Sequence, residues 1–307
     1  MKALQVKELQ HHSKLKVILQ SQGKYQNQPP LPFVLGAEFA GKIASDSPIP
    51  DGCDFKRGDR VFGYAQGAYS ERLALNPVTL LPVPANISLE QAAGLFLTYP
   101  TSYEALVGRA QAKAGETMLV LAGAGGVGLA AVQIAKYLGC KVIAAVGSEA
   151  KFAVCKNAGA DHVINYSEAG WQNKVKELTD GDGVDVVYDP VGMIVPSLKC
   201  VNWNARLVVV GFAAGTIEKI PANLILLKNV SVVGLFWGAT SYKDPARFQT
   251  VIKEVLTLIA KGKLNPTVYE KVYEGIGGVV EGLSDIEGRK TWGKAVVRIR
   301  REDKGKL

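Results

Sequence analysis

The chain has 307 residues, is 48% hydrophobic, and carries 36 Lys and Arg against 28 Asp and Glu, a formal charge of +8. That length and apolar content suffice for a large core or for two domains, and the positive balance suits nucleic acid or an acidic ligand. No zinc finger, RNP signature or sustained arginine run accompanies it, which argues against nucleic acid, and no apolar run reaches membrane-spanning length.

Taken in chain order, the first hundred residues are rich in Gly, Pro and short β-prone runs. LGAEFAGKIA (35–44) sets one carboxylate, Glu38, among small and apolar neighbours. DRVFGY (59–64) and GAYSERLAL (67–75) read as strands around a turn. Ser88, with Gln91 three residues on, has capping-box spacing at the head of a helix through EQAAGLFL, and Thr101 to Arg109 suggests another helix. The middle alternates: strand 116–123, helix 128–139, strand 140–147, helix 148–159, strand 161–166, then strand-and-loop units at 183–192 and 205–215, and one more strand at 229–239. Strands alternating with helices at short intervals predict a parallel sheet covered on both faces, an α/β fold. RFQTVIKEVLTLIAKGK (246–262) is a long amphipathic helix, GKAVVRI a closing strand, and RIRREDKGKL a solvated basic tail. Cys53, Cys140, Cys155 and Cys200 have no paired spacing and no secretory signal is read at the amino end, so a reducing, cytoplasmic setting is expected.

The strongest chemical signal is LVLAGAGGVGLAAVQIA, where Gly123, Gly125 and Gly128 form GxGxxG after a hydrophobic strand and at the head of a helix. Gly123 is read as the tight turn, and Gly125 as the approach to a pyrophosphate whose charge meets the helix N-terminus. Gly128 is the close helix–sheet contact, and Gly126 adds freedom between them. After the second strand, Gly147 offers no acid to a ribose. Ser148 and Lys151 suit a 2′-phosphate instead, whereas Glu149 either faces solvent or receives the ribose. The loops at Tyr188–Gly192, 211–213 and 236–238 are expected to cross the cofactor, with core packing as the alternative for each; topology favours 211–213 and 236–238 as cofactor-lining, and Asp189, followed by Pro190, has a structural reading.

PPLPFVLGAEFAG, FKRGDRVFGY, GAYSERLAL, AGAGGVGLAAVQIAKYLG, GADHVINY, GVDVVYDPVG, LVVVGFAAG and LLKNVSVVGLFWG together resemble the zinc-free quinone oxidoreductases of the medium-chain dehydrogenase/reductase superfamily. The resemblance implies a Rossmann doubly wound parallel sheet over 101–240. It also implies a GroES-like, mainly β catalytic domain from 1–100 and 241–307. It implies NADPH-dependent reduction of a small-molecule quinone or enone, and a homodimer in which strand 231–238 pairs with its twin. By the same resemblance, Ser148, Lys151 and Tyr166 contact the adenosine phosphate, and Thr101, Val127, Phe212 and Phe236–Trp237–Gly238 surround the nicotinamide. Gly211 lies on the adjoining loop, Tyr64 lines the substrate cleft, and Lys294 sits near the cofactor phosphates. The amino end departs from the pattern. Between MKALQVKEL and GKYQNQPPLPF stands only QHHSKLKVILQSQ, so the catalytic domain is shortened there or only partly represented. His11 and His12 in that stretch lack a third ligand.

Zinc-dependent relatives have histidine where this chain has Ala37. Metal ligation is therefore not expected, and Glu38 is read as a buried acid paired inside the catalytic domain, with Arg60 as candidate partner. Metal-free hydride transfer leaves the growing carbonyl charge to a hydroxyl or backbone donor, or to a proton from Tyr64 or solvent. Tyr64 and Thr101 are the catalytic candidates, with Tyr69 read as structural. The alternative is an NADPH-binding protein without turnover, in a structural or interaction role.

Overall fold

A computed structural model describes residues 29–299 and the two-residue strand at 5–6. The amino-terminal stretch up to residue 28 apart from that strand, with its paired histidines, and the basic tail beyond 299 lie outside the described residues. The chain forms two compact units, one from the two chain ends up to Leu97 and from Val268 onward, the other from Thr98 to Thr267.

The second unit is built on six parallel strands: β6 (Thr117–Leu121), β7 (Lys141–Val146), β8 (His162–Asn165), β9 (Val184–Asp189), β10 (Val201–Val209) and β11 (Ser231–Gly234). They lie in the order β11-β10-β9-β6-β7-β8, the doubly wound arrangement whose order reverses beside β6. The expected parallel sheet is therefore present. Leu119, Val120, Leu121, Val142, Ala144, Val186, Val187 and Leu207 are fully buried, as strands covered on both faces require. Helix α3 (Gly126–Tyr137) packs on β6 and β7. At the opposite end of the sheet, the Arg206 guanidinium reaches the Glu116 carboxylate at 2.7 Å and the Ala110 carbonyl at 3.0 Å, tying β10 to the entry of β6.

Several elements depart from the sequence reading, each for a local reason. The helix expected through EQAAGLFL is broken in two: α1 (Leu89–Ala93), with the predicted Ser88–Gln91 capping box, ends at Gly94, and α2 (Leu95–Tyr103) starts afresh. A β-carbon on Gly94 would lie 2.8 Å from the Lys294 stem, which crosses there. The helix expected from Thr101 is the continuation of α2 through Pro100 into a π-turn at Glu104–Arg109. Its carboxylate at Glu104 meets the Arg247 guanidinium at 2.6 Å. That ion pair, with the stacking of Phe248 on Trp237, holds α9 (Pro245–Ala260) in the sheet unit. The sequence division at 240 had given this helix to the other domain, whereas the unit boundary falls at Thr267. The strand expected to 239 stops at Gly234, and Trp237 opens the helix α8 (Trp237–Lys243).

In the first unit, β3 (Glu38–Lys42), β4 (Arg60–Tyr64) and β5 (Leu81–Pro82) form an antiparallel sheet, and β12 (Val268–Glu274) and β13 (Lys294–Arg298) pair in parallel around helix α10 (Gly275–Glu287). Segment 67–75, expected as a strand, is irregular. Its amides at Gly67, Ala68 and Tyr69 donate to the carbonyls of Gly36 and Leu35 rather than along a regular ladder.

One consequence is testable through pH. Burial pushes the Glu116 carboxyl up, but the Arg206 hydrogen bond and charge and the Lys113 amide together hold it below its ordinary value of 4.5. A depressed acid contributes stability above its unfolded pKa, and that stability is lost as pH falls through the folded value. In denaturant unfolding, the stability gap between wild type and Glu116→Gln is expected to be full at neutral pH and to close below pH 4.5. A gap that stays constant over that range contradicts this role.

Candidate functional site

Because the six strands are parallel, their C-terminal ends share one edge, and the loops that follow them converge there. The Gly-rich turn leaves β6 at that edge. Ala122 takes the left-handed conformation at φ 48°, and Gly125, extended at φ −77° and ψ 168°, is the N-cap of α3. Gly126, Val127 and Gly128 are the first three helical residues, whose amides have no partner within the helix ladder. A β-carbon on Gly128 would lie 2.2 Å from the Ala122 carbonyl oxygen, so only glycine lets the helix start this close to the strand end. Gly123 faces Ala144 of β7.

At the end of β7, Gly147 and Ser148 are at least partly open to solvent, and Tyr166, just past β8, brings its hydroxyl to 3.6 Å from the position of a β-carbon on Gly147. Ser167 fixes this corner by donating to the Gly147 carbonyl at 3.1 Å. Lys151 is half-buried at the head of the helix after β7, and its amide donates to the Ser148 carbonyl at 3.2 Å. Ser148, Lys151 and Tyr166 thus gather at the ends of neighbouring strands.

On the other side of β6, the loops after β9 and β10 are laced together: the amides of Ala213 and Ala214 donate to the carbonyls of Pro190 and Val191. Gly211 packs against the Pro190 carbonyl, and Phe212 is 38% exposed. Phe236 is 56% exposed with its ring against Gly238, whereas Trp237 is 4% exposed and stacked on Phe248, 5.2 Å between centroids. Trp237 is therefore packed against the following helix rather than open at this edge, a distinction the sequence did not offer.

Asp189 has its structural reading. It is fully buried, and its carboxylate accepts from the amides of Val191, Gly192 and Met193 at 2.6–2.9 Å. Glu218, which the sequence gave no reason to single out, accepts from the next two amides, Ile194 and Val195. Burial pushes both carboxyls up, and the amide hydrogen bonds pull them back only in part. Ser102 was also passed over, although a serine inside a helix always warrants a search for its partner. It is fully buried and bonded to the Val127 carbonyl and the Tyr188 phenol. Its neighbour Thr101 is half-buried on the same helix.

Tyr64 and Lys294 belong to the other unit. Tyr64 ends β4 and stacks on Phe96, with centroids 6.2 Å apart. Burial, then the Glu38 charge, pushes the Tyr69 phenol up to about 12, which keeps that hydroxyl neutral and suits its structural reading. The Lys294 ammonium contacts the Glu38 carboxylate at 2.5 Å, so its charge is spent inside its own unit. Glu38 is indeed a paired, largely buried acid, but Arg60 is not its partner. Arg60 donates to the Ile87 carbonyl, and Glu38 accepts from Lys294 and from the Leu97 amide at 2.8 Å, three residues into α2. Among the described residues, no three His, Cys, Asp or Glu side chains gather as a metal-ligand set, and the buried residue at position 37 is alanine. The donor set does not fit zinc.

A Rossmann unit with a Gly-rich phosphate turn, joined to a GroES-like β unit, defines the class. The chain belongs to the zinc-free quinone oxidoreductase family of the medium-chain dehydrogenase/reductase superfamily. Residues 126–257 match the family model described as zinc-binding dehydrogenase. The chain is 39% identical over 286 residues to a quinone oxidoreductase-like protein 2 homolog of Nematostella vectensis, covering 91% of this chain and 77% of that one. Among solved structures, a probable oxidoreductase from Mycobacterium abscessus superposes with a TM-score of 0.81 at 34% identity, covering 96% of this chain and 89% of that one. Escherichia coli quinone oxidoreductase complexed with NADPH superposes with a TM-score of 0.80 at 32% identity, covering 96% and 90%.

Removing Glu38 leaves an ammonium and a helix-end amide unpartnered. Glu38→Ala is expected to cost about 2 kcal/mol in denaturant unfolding. Because the carboxylate faces Lys294, Glu38→Ala combined with Lys294→Met should cost less than the sum of the single changes, and strict additivity would rule out the pairing.

Proposed function

We propose that this chain is an NADPH-dependent oxidoreductase that reduces quinones or activated alkenes by metal-free hydride transfer. The observation that carries the reading is the Gly123–Gly128 turn at the end of the central strand of a doubly wound sheet, beside a serine, a lysine and a tyrosine on the adjoining strand ends. NADPH in the solved Escherichia coli relative supports the same cofactor here. When bound, NADPH supplies the hydride. The chain's own part begins with charge: the first amides of α3 receive the bridging phosphates, and Ser148 and Lys151 receive the 2′-phosphate, with Tyr166 alongside. Gly211, Phe212, Phe236, Gly238 and Val127 line the reacting half of the cofactor, while Trp237 is buried against Phe248. Lys294 is left out of this set, because Glu38 occupies its ammonium. Tyr64 and Thr101 are assigned to the acceptor. A hydroxyl donating to its carbonyl oxygen favours the negative charge that grows there, and a proton from Tyr64 or from solvent completes the reduction.

No helix among the described residues is long and apolar enough to cross a membrane. All four cysteines are free thiols, and three of them are buried, which supports a reducing compartment and a cytoplasmic assignment.

Loss of NADPH absorbance on adding a simple ortho-quinone or an enone tests the chemistry. Turnover is expected. Tight NADPH binding without acceptor-dependent oxidation overturns the reductase reading and leaves a cofactor-binding protein. Lys151→Ala is expected to weaken NADPH about tenfold and NADH little, since it removes one charge opposite a phosphate that NADH lacks. An equal change for both dinucleotides would remove Lys151 from the site.

A homodimer is assigned to β11, one of the two edge strands of the sheet, whose outer edge can pair with its twin. The paired strand is Ser231–Gly234, shorter than the sequence suggested. Light scattering at micromolar concentration should give twice the 32.8 kDa chain mass, and a monomer there defeats the assignment.

A further inference from the structure

Ser102 and Tyr188 form a polar pair inside an apolar core, and both side chains are 0% exposed. The Ser102 hydroxyl lies 2.8 Å from the Val127 carbonyl and 2.9 Å from the Tyr188 phenol. The direction of these bonds follows from counting protons. A carbonyl only accepts, so the single Ser102 proton goes to Val127. The second contact must then use the phenol proton, giving a one-way relay from Tyr188 through Ser102 to Val127. Burial pushes the phenol well above its ordinary range, which keeps that proton in place.

The relay joins three elements. Ser102 is on α2, Tyr188 is the penultimate residue of β9, and Val127 is the second residue of α3, inside the Gly-rich turn. An alanine and a phenylalanine would fill the same space without any polar group to satisfy. The polar pair therefore gains little as bulk packing, and what it adds is a fixed direction and distance for the Val127 carbonyl. That carbonyl belongs to the peptide whose amide is the Gly128 N–H, one of the helix-start donors. We propose that Ser102 is a positioning residue for the phosphate-binding turn, holding the first turn of α3 against the end of β9 through its bond to Val127. The proposal rests on the reading of that turn as the NADPH site.

The test uses the full chain and two variants, Ser102→Ala and Ser102→Ala with Tyr188→Phe, measuring NADPH dissociation, the split between KM and kcat, and the unfolding midpoint of each. Ser102→Ala strands a buried phenol and frees Val127, so it should lose stability and weaken NADPH about fivefold, with the loss falling on the KM for NADPH rather than on kcat. The double variant removes the stranded phenol. Its unfolding midpoint should return toward wild type while its NADPH affinity stays weakened, and it carries the test if the single variant does not fold. A positioning role predicts this separation, and a merely structural one does not. Recovery of affinity together with stability in the double variant overturns the proposal, as does unchanged affinity in Ser102→Ala. If wild type itself fails to bind NADPH, the reading of the turn falls first and takes the proposal with it.

Discussion

The carbonyl oxygen of Ala122 occupies the space that a side chain on residue 128 would need. From that one exclusion the nucleotide-facing edge follows. The helix can begin directly on the strand end, so its unpaired first amides emerge at the sheet edge rather than above it. The closeness is bought with backbone strain at Ala122, a non-glycine residue in the left-handed region, which costs about 1–2 kcal/mol. The neighbouring structure supplies what holds that strain in place: the Gly123 amide donates to Ala145 of β7, and the Val127 carbonyl is bonded to Ser102.

The Glu38 carboxylate is both a helix cap and an ion-pair partner. It accepts from the Leu97 amide near the positive end of α2 and from Lys294, whose stem passes the place where Gly94 has no side chain. Three separated positions, 38, 94 and 294, are thereby bound to one another. An acid held by both a cation and an amide has little reason to move toward an incoming ligand.

What the sequence made legible was what periodicity and spacing encode. Buried strands such as Met118–Leu121 and Val142–Val146, the helix after the glycines, and the Ser88–Gln91 box all depend on residues a few positions apart, and all are present. Partners distant in the chain were not legible. Arg60 was the natural mate for Glu38 because it is near in sequence, yet β13 brings Lys294 across 256 positions. Trp237 and Phe236 are adjacent and equally aromatic, and only the helix that starts between them decides which ring is buried. Glu218 sits in an ordinary polar run, with no local sign that two amides of another loop end on it. The long helix at 245–260 was assigned to the wrong side of a boundary because its amphipathic face does not say what it will cover.

Asp189 and Glu218 between them take five successive backbone amides, Val191 to Val195. A run of amides turned the same way is the kind of concavity that attracts anions. Here the protein satisfies it from within, with two carboxylates. The amides beside β9 are therefore already taken, whereas the amides that open α3 have no partner in the helix ladder, so the two runs at this edge of the sheet differ in what they leave for an anion.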